Sequence, residues 1–123
     1  MLNKEQKTIL KGFLTELENI EKSDNFGIDL LNYIQKSVED SDNKIQTVGY
    51  IGYAISERLR SFEKCVDNYD TKSISGESFI SMLDTMDTYQ NIQEMLLVTA
   101  LEAKLASVIS QNRTPKYPPV CMN

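Results

Sequence analysis

Catalysis in this chain would have to rest on carboxylates, because the 123-residue sequence contains no histidine. That removes the commonest general base and the commonest metal ligand. The candidate acids are Glu16, Asp84, Asp87, Glu94 and Glu102, of which Glu94 and Glu102 sit beside an apolar run. Paired carboxylates on bundle helices can hold a di-metal centre, but that architecture also draws on Glu-x-x-His pairs. The two acidic loops fail as calcium sites. Counting from Asp40, Ile45 falls where glycine is required and Ile51 where glutamate is required. Counting from Asp67, Lys72 and Ser78 fall at those two places. Cys65 has no histidine to activate it, and with Cys121 it makes neither a metal spacing nor a disulfide framework. The expectation is a protein that is not an enzyme, with no catalytic residues, no cofactor and no metal.

Binding chemistry has a better candidate. Gly49 and Gly52 lie three residues apart, beside Tyr50 and Tyr53. Inside a helix each glycine costs about 1 kcal/mol against alanine, so two so close call for a reason. The first reading is close approach of a neighbouring helix. The second is a shallow groove, walled by tyrosines, that receives a partner. Tyrosine is enriched in the buried parts of protein interfaces. Tyr33 joins Tyr50 and Tyr53 as a candidate anchor, and Glu39, Asp40 and Asp42 supply an acidic rim.

The elements that position these residues are helical. Ile9, Leu10, Phe13, Leu14, Leu17 and Ile20 recur at the spacing of one helix stripe over 3–21. Asn3 with Gln6 reads as a capping box. The cations of this helix come early and the acids late, against the helix dipole; the two readings are ends paired with neighbouring elements and, preferred, a solvated face. A second helix is expected over 26–38, opened by Asp24 or Asn25. A third is expected over 44–68, opened by Asn43 with Gln46 and carrying Val48, Ile51, Ile55, Leu59, Phe62 and Val66 inward. Arg58, Arg60 and Lys64 alternate with Glu57 and Glu63 and read as an exposed mixed face.

A fourth helix begins near Glu77. Its apolar spacing can be carried through Tyr89, Ile92 and Leu96 as one long helix to Gln111, but that length is unusual and a break or kink at Asp87-Thr88 is the preferred expectation. The run 88–111, TYQNIQEMLLVTALEAKLASVISQ, has no proline, no glycine and one cation. Its middle, 95–101, is apolar or nearly so on every side, which marks a buried helix. The fold expected is therefore all-α: a single-domain bundle of four to five helices over 1–111, arranged around a buried C-terminal helix. Residues 112–123, with Pro115, Pro118 and Pro119, form a short Pro-rich tail.

The totals fit such a domain. Hydrophobic residues make up 41% and charged residues 25%, close to globular averages. Net charge is −5, and the thirteen cations are interleaved with acids, so no basic track for nucleic acid forms. No apolar stretch approaches the ~20 residues of a membrane span. The expected location is cytoplasmic. The expected function is a protein-binding module of inhibitor, immunity, chaperone or adaptor type, acting on a protein with a basic surface. The alternatives are a subunit of an obligate helical homo-oligomer, with a homodimer the simplest, and a small-ligand-binding bundle lined by Met82, Met86 and Met95.

Overall fold

Short polar side chains set where the helices start. In the computed structural model, which describes residues 2–68 and 75–112, four helices are present: α1 (Lys4–Ile20), α2 (Phe26–Glu39), α3 (Lys44–Asp67) and α4 (Gly76–Asn112). Asn3 and Gln6 close the expected box at α1. The Gln6 amide donates to Asn3 Oδ1 at 2.8 Å and the Asn3 amide donates to Gln6 Oε1 at 2.9 Å. Asn43 opens α3 by accepting from the Gln46 amide at 3.1 Å. Asn25 precedes α2 without a side-chain cap; its own amide donates to Ser23 Oγ instead. Lys44 closes the far end of α2 by donating to the Val38 and Glu39 carbonyls, both at 3.3 Å. A cation there also suits the negative end of the helix dipole. Asn3→Ala is expected to cost about 1 kcal/mol, read as a lower denaturant midpoint with an unchanged slope.

The helix at the centre is α3, and this corrects the expectation of a bundle built around the C-terminal helix. α3 packs against α1, α2 and α4, whereas α4 makes its main backbone approach to α3 alone. Val48, Ile51, Ala54, Ile55 and Leu59 of α3 are all buried. Leu10 and Leu17 of α1, Leu30 and Ile34 of α2, and Tyr89, Ile92 and Leu96 of α4 close around them. The chain alternates direction, so α1 and α3 run parallel and α2 and α4 run the other way.

α4 is continuous, and the expected break at Asp87-Thr88 is absent. Thr88 does not cap a new helix. Its hydroxyl turns back to donate to the Asp84 carbonyl at 3.1 Å, as Thr85 does to Ser81 at 3.0 Å. With no proline or glycine from Glu77 to Gln111, nothing interrupts the ladder. The result is 37 residues, about 55 Å at ~1.5 Å per residue, against about 36 Å for the 24-residue α3. α4 therefore outruns its partner. Ala100 lies beside Ile45, at the start of α3, and the last three turns of α4 overhang the bundle.

That geometry overturns the burial expected for 95–101. Leu96 is buried and Ala100 is partly buried, but Met95, Leu97, Val98 and Leu101 are each more than half exposed. Leu105, Val108 and Ile109 are exposed beyond them. The Pro-rich tail lies outside the described residues. Among the described residues, no helix is long and apolar enough to cross a membrane.

Candidate functional site

α3 presents its two glycines to open space. A methyl group built at Gly49 or at Gly52 meets no neighbouring atom within 4 Å. No helix approaches closely there, so the first reading of the pair does not hold. The glycines instead lie along a groove of about 570 Å³ between α3 and α4. Val48 and Leu96 form its floor, Tyr53 and Ile45 one wall, and Leu97 and Ala100 the other. Its polar end is shut by Gln93, whose carboxamide donates to the Gly52 carbonyl at 3.4 Å and to Ser56 Oγ. A side chain on either glycine would project into this space.

A second groove of about 510 Å³ runs along the other side of α4, against α2. Leu31, Ile34 and Val38 line it from α2, and Met95 and Thr99 from α4. Both grooves share Val48 and Leu96 as floor. The middle of α4 is thus a ridge between two apolar troughs.

The eight sequence-derived binding residues divide among four places. Tyr33 and Tyr50 close on Phe13 of α1, each ring 6.3 Å from it, Tyr33 edge-on and Tyr50 stacked at 21°. Both are half-buried and hold α1, α2 and α3 together. Burial pushes the Tyr33 phenol above its ordinary pKa. Gly49, Gly52 and Tyr53 lie together on the α3–α4 groove, and Tyr53 is half exposed at its edge. Glu39 borders the second groove and accepts from Gln35 at 3.1 Å. Asp40 and Asp42 are exposed in the turn before α3, a few residues from Ile45 at the open end of the first groove.

One constellation was not foreseen. Arg58 of α3 grips Glu21 with two bonds of 2.7 Å and reaches Glu18 at 3.2 Å, while its guanidinium covers the Phe62 ring at 5.1 Å. The Tyr89 hydroxyl of α4 donates to the same Glu21 carboxylate at 2.6 Å. The late acids of α1 that run against its dipole are therefore answered by Arg58 from another helix. That inverted charge order was the available signal, and reading it as a solvated face missed the pairing. Arg60 and Lys64 stay exposed, as expected.

The cluster locks helices together. Tyr89 is fully buried, and Glu21 spends its oxygens on Arg58 and Tyr89. Burial, reinforced by the bond to Glu21, holds the Tyr89 phenol well above its ordinary pKa near 10. The Arg58 guanidinium is held above its usual value by the hydrogen bond to Glu21. A raised phenol pKa in the folded state gives stability that is intact below pH ~10 and lost as pH rises further. Stability is expected to fall more steeply above pH ~10 in the native protein than in Tyr89→Phe, by about 1.4 kcal/mol per pH unit for the one proton. Denaturant midpoints between pH 9 and 11 (about the phenol range) check this.

Among the described residues, no group of three or more metal-ligating side chains forms a metal site. No protein-family model, characterised protein or solved structure matches the chain.

Proposed function

We propose that the protein is a non-enzymatic protein-binding module whose docking surface is the α3–α4 groove. The observation that carries the reading is the glycine pair. Each glycine weakens α3 by about 1 kcal/mol against alanine, and no packing inside the bundle uses the space they leave. A cost without an internal use fits a surface kept open for a visitor.

The chemistry of the groove suits an apolar segment with basic flanks. Its floor and walls are aliphatic, with Tyr53 as an amphipathic anchor at the edge. Glu94 stands at one end, and Asp40 and Asp42 stand in the turn near the other. A chain of net charge −5 adds long-range attraction for a basic partner. An amphipathic helix or strand of another protein would lay its apolar side over Val48 and Leu96, and its cations would meet the acids at the ends. The module would act by holding or occluding that segment.

Tyr53→Ala gives the clean test, because Tyr53 is half exposed whereas Tyr50 is stacked in the fold. With the fold intact by circular dichroism, capture of a stoichiometric partner from the native cell is expected to drop at least tenfold. Equal capture by the native protein and the variant would place the docking surface elsewhere.

A further inference from the structure

The C-terminal half of α4 carries a second surface, separate from the groove. At about 100° per residue, Val98, Leu101, Leu105 and Val108 fall on the side of α4 opposite Tyr89, Ile92 and Leu96. The first set therefore faces directly away from the bundle, and all four are exposed. Their spacing of three, four and three residues is that of a two-helix seam. Upstream the same side turns polar at Glu94, Asn91 and Asp87, so the apolar seam is confined to the end of α4.

The sequence around this seam reads nearly the same in both directions about Ala103. Leu97 answers Ile109, Val98 answers Val108, Thr99 answers Ser107, Ala100 answers Ala106 and Leu101 answers Leu105. In a two-fold antiparallel helix pair, residues equidistant from the axis face one another. An axis at the level of Ala103 sets Val98 on Val108 and Leu101 on Leu105 of the other copy. Met95 then comes alongside Ile109 on one flank.

We propose that a second copy of this chain covers the surface, α4 packing antiparallel on α4 with the two bundles on opposite sides. Six roughly half-exposed aliphatic side chains, Met95, Val98, Leu101, Leu105, Val108 and Ile109, supply on the order of 500 Å² per copy. Both copies together bury about 1,000 Å², the lower limit of a specific interface. A patch of this size matches the largest found on a typical monomer, which is often a contact surface. The parallel alternative would set Glu94 on Glu94 and Asp87 on Asp87 along the seam, whereas the antiparallel pair keeps those acids apart. Near the axis, Glu102 meets its copy on one flank and Lys104 meets its copy on the other. The pair therefore gains nothing from charge, and association tightens with added salt. The dimer leaves Gly49, Gly52 and Tyr53 uncovered, so it stands or falls independently of the groove.

Sedimentation velocity of the full chain tests the pairing. At about 100 µM the native protein is expected to run as two 14.0 kDa copies. Leu101→Glu with Leu105→Glu, both exposed and outside the bundle core, is expected to run as a monomer with unchanged helicity. Orientation is read with a short bis-maleimide in a Cys65→Ser, Cys121→Ser background. Glu102→Cys, near the axis, is expected to cross-link. Val98→Cys, held about 15 Å from its copy along the axis, is not. A native monomer at about 100 µM, a dimer that survives the two glutamates, or the reverse cross-linking pattern overturns the proposal.

Discussion

Tyr89→Ala is expected to destabilise the protein by about 4 kcal/mol, a large part of the stability of a domain this size. Tyr89 is the largest fully buried side chain. Its ring meets Phe26 edge-on at 5.1 Å and lies 6.3 Å from Phe62. Removing it opens a cavity where α1, α3 and α4 converge, and also takes the hydroxyl donor from Glu21. Tyr89→Phe separates the two effects. It keeps the ring and loses a hydrogen bond to a carboxylate, for a cost of about 1.5–3 kcal/mol. Arg58→Ala leaves Glu21, nearly buried at 13% side-chain exposure, without its cation, and about 2–4 kcal/mol is expected. Because both residues act through Glu21, the Tyr89→Phe, Arg58→Ala double variant should depart from additivity by more than about 0.5 kcal/mol. Urea midpoints at neutral pH give all four values. Equal costs for Tyr89→Phe and Tyr89→Ala would mean that ring packing contributes little.

Gly49→Ala with Gly52→Ala is expected to move stability and binding in opposite directions. The added methyl groups meet nothing within 4 Å, so the double variant gains helix propensity without strain. A rise of roughly 1–2 kcal/mol in unfolding free energy is expected. The same two methyl groups narrow a groove of about 570 Å³ along its α3 wall and hold a docking segment off Val48 and Leu96. Partner affinity is expected to fall at least tenfold, about 1.4 kcal/mol. Such opposition marks residues kept for binding at the expense of stability. Stability that falls in the double variant would show that the glycines serve the fold.

Much of the fold was legible because it rests on short-range rules. The stripe Leu10, Phe13, Leu17 and the caps at Asn3 and Asn43 are each set by residues a few positions apart. The position of α4 was not legible, for two reasons. Helix length in the sequence does not reveal how far the partner helix reaches, and the antiparallel α3 begins beside Ala100. An all-round apolar run reads as buried whether another helix of the same chain or a second molecule covers it. In the described chain no further helix lies over Val98, Leu101 and Leu105, which are exposed.

The candidate site was half legible. Gly49, Gly52 and Tyr53 come together because residues three or four apart share a helix face. Tyr33 and Tyr50 met the same residue-type rule, but Phe13 on α1 claims both rings. Nothing in their local spacing announces Phe13. The Arg58–Glu21–Tyr89 cluster joins residues 37 and 68 positions apart. Periodicity cannot reach pairings of that kind, and only the inverted charge order of α1 hinted at one.

The proposed role of the α3 glycines is to hold a groove open for a partner protein. Its most direct measurement is quantitative capture from the native cell by the native protein and by Gly49→Ala, Gly52→Ala side by side, with thermal unfolding recorded for both. The predicted result is a stoichiometric partner held by the native chain and lost by a variant that unfolds at a higher temperature. A partner retained equally by the stabilised variant would contradict the claim.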